Sequence, residues 1–299
     1  SARLCVRLRG VVIQAARSKV NKSVKLDAGR ERTKNLADEK YPGRITYRNL
    51  EESFTDEAVE LEIVKTPNDT HYDYAKKALE AGKHVVVEKP FTVTVKEGEE
   101  LIDIAKKQNR KLSVYQNRRY DSDYKTIRKI LDQNVLGDLV DVEMHFDRFK
   151  EDVSPKVHKE IPGPGTGSLY DLGAHLIDQS LQLFGMPVKL FADVKPMRPV
   201  SKVEDYFNLI FFYKTFRVHV KSSYAVREQL PGYIFHGLKV SFIKSKTKVQ
   251  EDMLTAGSKQ GAAEWGTDPE AEGGLLNREM SGKSGRGRYV KGVGSWKEY

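Results

Sequence analysis

The sequence predicts an α/β chain in two parts: a parallel α/β domain over residues 1–115 and an α+β domain over residues 116–299. Two observations carry this reading. Between residues 45 and 115, short apolar strand-like runs alternate with helix-length amphipathic segments, the pattern of βαβ units and a parallel sheet. Beyond residue 116, apolar and polar residues alternate with period two, the pattern of a sheet with one covered face and one polar face.

The elements follow in order. Val59 to Thr66 is a strand candidate, interrupted by Glu62 and Lys65. Asn68, Asp69 and Thr70 are N-cap types, and a helix from about His71 to Ala81 stops at Gly82. His84 to Val87 reads as a buried strand, Lys96 to Asn109 as an amphipathic helix, and Lys111 to Tyr115 as a strand. Asp121 to Gln133 is helical. In Leu139 to Asp147, Val140, Val142, Met144 and Phe146 alternate with Asp141, Glu143, His145 and Asp147. Phe216, Val218 and Val220 alternate with Arg217, His219 and Lys221, and Tyr206 to Tyr213, Tyr233 to His236 and Val240 to Lys244 are further strands. Residues 245–299 are rich in Gly and Lys with little periodicity.

Composition narrows the function. The chain has 299 residues and 39% hydrophobic content, enough for sizeable cores. Its longest apolar run, near Phe207 to Tyr213, is far short of the roughly 18 to 20 residues of a membrane span. One cysteine excludes an intrachain disulfide and a cysteine-built zinc site. The net charge of +9 resides almost wholly in residues 1–34, with ten Lys/Arg against two Asp/Glu. A basic end without a nucleic-acid motif reads as a solvated terminus, so no nucleic acid is expected as a partner. The cytoplasm is the expected compartment.

Three constellations carry candidate chemistry. Thr66, Pro67, Asn68 and His71 lie between a strand and a helix, where open α/β sheets place their ligands. Glu88, Lys89 and Pro90 follow a buried strand, and a lysine at such an exit faces a crevice, where desolvation suits it to proton transfer. In Gly165 to Asp178, a helix sets Asp171, His175 and Asp178 at i, i+4 and i+7 on one face. A carboxylate one turn from a histidine can hold it as an acid/base group. The same face lacks the further ligand a metal would need, so no metal is expected.

Four segments closely resemble the glucose–fructose oxidoreductase/inositol dehydrogenase family. They are TPNDTHYDYAKKALEAGKHVVVEKPF (Thr66 to Phe91), QNRRYDSDY (Gln116 to Tyr124), GDLVDVEMHFDRF (Gly137 to Phe149) and GPGTGSLYDLGAHLIDQSLQLFG (Gly163 to Gly185). The branch of NADP-dependent scyllo-inositol dehydrogenases is the nearest in look. The resemblance implies an N-terminal Rossmann-like parallel sheet and a C-terminal α+β domain with a large, mostly antiparallel sheet that often forms a dimer interface. It also implies an NAD(P)-dependent dehydrogenase acting on a sugar or cyclitol hydroxyl. Lys89, Asp171 and His175 would be its catalytic residues, with the protein supplying geometry and protonation. Thr66, Pro67, Asn68 and His71 would line the path from adenosine to nicotinamide. Glu88, Lys89, Gln116 and Asn117 would surround the nicotinamide. Arg118, Arg119 and Tyr120 would border the substrate or orient its loop, with Asp171 and His175 also contacting it.

The N-terminus departs from that family's pattern. Its glycine fingerprint falls on Cys5 to Gly10, where only Gly10 survives. Either the pyrophosphate site is compromised, because Cys5 and Arg7 stand where bare backbone is needed, or the recorded sequence differs from the true one there. The second strand is expected to end near Arg30 to Lys34. Arg32 and Thr33 there suit a 2′-phosphate and favour NADP over NAD, although Glu31 blurs the signal. The polar face carrying Asp141, Glu143, His145, Arg217, His219 and Lys221 is expected to pair two copies through opposite charges, making a homo-oligomer. The alternative function is a non-catalytic family member that senses a cofactor or sugar.

Overall fold

The structure is a computed structural model that describes residues 12–16, 23–26, 46–47, 50–154, 159–256, 265–269, 273–280, 283–290 and 295–298. The chain divides into two compact units, Ser1–Tyr115 with Gly163–Gly165, and Gln116–Pro162 with Thr166–Tyr299.

The first unit is built on a six-stranded sheet. Its strands are β1 (Val12–Ala16), β2 (Ser23–Leu26), β3 (Thr46–Tyr47), β4 (Leu61–Lys65), β5 (His84–Glu88) and β6 (Leu112–Tyr115), in the order β3-β2-β1-β4-β5-β6. β4, β5 and β6 run parallel, joined through α2 (His71–Glu80) and α3 (Val95–Lys107), and α1 (Leu50–Thr55) precedes β4. This is the Rossmann-like α/β arrangement. β1 runs antiparallel to both β2 and β4. The link between β1 and β2 covers only residues 17–22, too short for the crossover that a parallel pair needs.

Local chemistry sets the elements between residues 61 and 115. Gly82, at φ +73°, ends α2 where a side chain would be strained. Thr94 and Glu97 form a reciprocal capping box that starts α3. Val64, Ala75, Leu79, Val85, Val87 and Leu101 make the core between the sheet and its helices. Glu62 is fully buried within β4.

The second unit is a nine-stranded sheet with helices on one face. β7 (Leu139–His145), β8 (Lys189–Lys195), β9 (Tyr206–Phe212), β10 (Arg217–Ser223), β11 (Tyr233–Gly237), β12 (Val240–Lys244), β13 (Gly274–Met280), β14 (Lys283–Val290) and β15 (Ser295–Glu298) lie in the order β15-β14-β13-β12-β11-β7-β10-β9-β8. Among the described residues, β7 and β10 pair in parallel and the other pairings of this sheet are antiparallel. α4 (Ser122–Asp132), α5 (Ala174–Phe184) and α6 (Val249–Thr255) complete the unit. Val142, Met144, Phe207, Val218, Val220 and Phe235 form its core together with Leu172 and Leu176, so α5 covers one face of the sheet.

Two features of this unit go beyond the sequence reading. The aperiodic stretch beyond residue 245 supplies three strands, because a backbone ladder needs no side-chain alternation at the end of a sheet. On the opposite face, His145 is buried. Its Nε2 lies 2.8 Å from Glu143 Oε2 and its Nδ1 3.2 Å from Asp147 Oδ2, and these carboxylates hold its pKa above the ordinary value despite burial.

Candidate active site

Thr66, Lys89 and Gln116 are each the first residue beyond the carboxyl ends of the adjacent parallel strands β4, β5 and β6. Ligands of open α/β sheets sit at this edge.

In the first unit the turn after β4 is tied by side chains rather than capped. The Thr70 hydroxyl donates to Thr66 Oγ1 at 2.6 Å and lies 2.7 Å from the Pro67 carbonyl, and it makes no cap hydrogen bond to α2. Asn68 donates to the Gly165 carbonyl at 2.6 Å. Gly165 is at φ +73°, and a Cβ there would come within 3.0 Å of Asn68 Cβ, so this contact requires glycine. His71 is fully buried. Its Nδ1 faces the Pro90 carbonyl at 2.7 Å and its Nε2 the Thr66 carbonyl at 3.1 Å. It was expected along the cofactor path; both its ring nitrogens face backbone carbonyls, one in each of the two segments it joins. Glu88 accepts from the Lys89 backbone N–H at 3.0 Å. Gly10, Arg32, Thr33 and the fingerprint around Cys5 and Arg7 lie outside the described residues, while β2 ends at Leu26.

In the second unit Asn117 opens a 3-10 turn that ends at Tyr120, and Tyr120 is largely exposed. Arg119, expected at the substrate, forks both oxygens of Asp178, with Nε to Oδ2 at 2.7 Å. Arg118 pairs with Asp121 at 3.0 Å and Glu251 at 3.1 Å. Beneath this turn Lys246 donates to Tyr233, Tyr233 to Gln179, and Gln179 to the Arg118 carbonyl, each at 3.0 Å. Burial pushes the Lys246 amine below its ordinary pKa and raises Asp121 to about 6, Arg118 offsetting part of the latter.

Asp171 lies on a π-helical turn, Leu169–Gly173, that runs into α5, and His175 is buried in the first turn of α5. The expected common face of Asp171, His175 and Asp178 divides by partner. Lys159 Nζ sits 2.7 Å from Asp171 Oδ1, while Asp178 is taken by Arg119. Lys159 gave no signal in the sequence, since it is twelve residues away in a loop without periodicity. Gly167, at φ +90°, faces Glu204, whose carboxyl would lie 2.0 Å from an added Cβ. Among the described residues no cluster of His, Cys, Asp and Glu could hold a metal, and no helix is long and apolar enough to cross a membrane.

The two units match the two domain models of one oxidoreductase family. Residues 10–116 match the oxidoreductase family model with an NAD-binding Rossmann fold, and residues 124–243 match the GFO/IDH/MocA C-terminal domain. The chain belongs to the GFO/IDH/MocA oxidoreductase family. It is 40% identical over 244 residues to the NADP-dependent scyllo-inositol 2-dehydrogenase IolW of Bacillus subtilis, covering 81% of this chain and 68% of that protein. It is 43% identical over 215 residues to the uncharacterized oxidoreductase YdgJ of Escherichia coli, covering 72% of this chain but only 62% of YdgJ. The crystal structure of an oxidoreductase from Bacillus cereus superposes with a TM-score of 0.79 at 30% identity, covering 93% of this chain and 79% of that one. The structure of yvaA from Bacillus subtilis does so with a TM-score of 0.82 at 36% identity, covering 89% and 75%.

Proposed function

We propose that the protein transfers a hydride between NADP and a hydroxyl-bearing carbon of a sugar or cyclitol. The placement of Lys89 directly beyond β5, between the strand ends that carry Thr66 and Gln116, is the observation that carries this reading. A bound nicotinamide supplies the redox chemistry. Lys89 and His175 handle the proton of the reacting hydroxyl, and Asp171 orients the polyol beside His175. Thr66, Pro67, Asn68 and Gln116 hold the cofactor at the strand edge, while Glu88 fixes the backbone under Lys89. NADP is preferred over NAD on the strength of Arg32 and of the resemblance to IolW.

The test is nucleotide titration followed by turnover on a polyol panel. Lys89→Ala and His175→Ala are each expected to lower kcat about 10²-fold or more, the scale of acid/base catalysis, with a smaller change in NADP affinity. Near-wild-type kcat in both variants would sink the assignment. Nucleotide binding with no turnover on any polyol would favour a sensing role instead.

A further inference from the structure

Beyond His145 the chain of β7 continues beside residues 221–224. The backbone N–H groups of Phe146, Arg148 and Lys150 donate to the carbonyls of Lys221, Ser223 and Tyr224 at 3.0, 2.9 and 2.9 Å. Side chains alternate along extended backbone. Phe146, Arg148 and Lys150 therefore follow Val142 and Met144 onto the face covered by α5, the face of Asp171 and His175.

Cations gather on that face around two rings. Lys246 lies 4.7 Å and Arg148 5.1 Å from the centre of Phe146, with Arg118 at 6.0 Å. Lys150 lies 4.9 Å and Arg198 5.3 Å from the centre of Tyr224. Some of the cations there have carboxylate partners: Arg118 with Asp121 and Glu251, Arg198 with Asp205, and nearby Lys159 with Asp171. Arg148 and Lys150 have no carboxylate within ion-pair reach among the described residues. Both are half-buried, so water screens them incompletely. The Lys150 amine is pushed below its ordinary pKa by burial and then by the adjacent Arg148, and Asp171 and Glu160 pull it back upward. Lys150 thus stands in the field of both the unpaired arginine and the candidate catalytic carboxylate. A neutral polyol would leave the repulsion between Arg148 and Lys150 in place. An anion between them would remove it and would form charge-assisted hydrogen bonds.

We propose that the substrate taken beside Asp171 carries an anionic group, a phosphate monoester or a carboxylate, that lies between Arg148 and Lys150. This deepens the oxidoreductase reading and rests on it: the hydroxyl reacts beside His175 while the anion anchors the other end of the molecule.

Inorganic phosphate is the first probe, because its binding needs no turnover. Calorimetric titration at constant ionic strength is compared between wild type and Lys150→Met, with thermal unfolding confirming that the variant folds. A loss of at least tenfold in phosphate affinity in the variant is expected. Phosphate held elsewhere in the protein, including any cofactor phosphate site, would show equal affinity in both proteins and would overturn the proposal. Turnover is then compared across hexoses, their 6-phosphates and the corresponding hexuronates with wild type, Lys150→Met and Arg148→Met. At least a tenfold preference in kcat/KM for one charged series is expected, and which series it is separates phosphate from carboxylate. That preference should shrink at least tenfold in either variant. Neutral sugars turned over as well as both charged series would overturn the anion site and leave the oxidoreductase reading standing. Lys150-dependent phosphate binding without turnover of any sugar would support the site and remove the oxidoreductase reading.

Discussion

His71 Nδ1 lies 2.7 Å from the carbonyl oxygen of Pro90, the residue that follows Lys89. The same ring reaches the carbonyl of Thr66 at 3.1 Å, so one buried side chain links the loops after β4 and β5. Both partners are acceptors, and a neutral ring donates to only one at a time. His71→Phe leaves two buried carbonyls without this donor and is expected to cost about 1–3 kcal/mol of stability. It should also lower kcat more than it raises the sugar KM, because Lys89 loses its support. His71→Gln, whose amide N–H can donate to one of these carbonyls, should recover part of both losses. Chemical unfolding and steady-state kinetics check this; wild-type kcat in His71→Phe would contradict it.

Glu62 makes stability depend on pH. Burial raises its carboxyl pKa from the ordinary 4.5 to about 7, with Ser53 and Lys83 only partly offsetting. A folded state that holds its proton more tightly than the unfolded chain loses stability as pH rises between these two values, and is flat above them. The shift corresponds to about 3 kcal/mol. Glu62→Gln should therefore gain on wild type between pH 5 and pH 8, measured as a widening difference in unfolding free energy. A difference that stays constant across this range would refute the assignment.

Asp205 and Arg198 form a buried pair at 2.7 Å. Arg198 also donates to the carbonyls of Lys150 and Asp152, at 3.2 and 2.7 Å, and so fastens the segment that leads to Lys159. Removing one partner strands a buried charge. Asp205→Ala should lose about 3–5 kcal/mol and raise protease sensitivity between residues 150 and 160. An unchanged melting temperature would count against this.

The uncovered face of the large sheet should pair two copies, for a reason other than the mixed charge read from the sequence. Several of those charges are paired within the sheet: Asp141 lies 3.4 Å from His219, and Glu143 and Asp147 hold His145. The strand registers instead line up Phe191, Ile210, His219, Glu143, Ile234, Ile243 and Leu275 along one row, with apolar residues on either side of His219 and Glu143. Phe191 is 54% exposed. Sedimentation at micromolar concentration should find dimers or larger, and Ile234→Asp should shift the species toward monomer. Monomeric wild type would defeat the idea.

Much of the fold between residues 59 and 244 was legible because its signals are local. The Val-rich run of β5, the stop at Gly82 and the alternation along β7 and β10 each depend on residues within one turn or one pleat. The direction of β1 was not legible, since it depends on a short link in a segment with little apolar patterning. Glu62 looked like an interruption of β4 yet sits wholly inside it, because burial there shifts its protonation instead of breaking the strand. At the site, Lys89, Asp171 and His175 stood out through resemblance and strand position. Lys159, and the Arg119–Asp178 fork, were invisible because they join loops to helices across many residues, and no periodicity encodes such pairings.

The three residues that follow β4, β5 and β6 lie just outside the alternation that builds the core beneath them. Replacing Thr66, Lys89 or Gln116 changes the edge at which open α/β sheets place their ligands, while Val64, Val85 and Val87 stay in the core. Inheritance can therefore alter the chemistry of this edge in single steps, while the scaffold under it continues to fold as before. A lineage built on such a sheet can explore new reactions without first surviving a loss of its core.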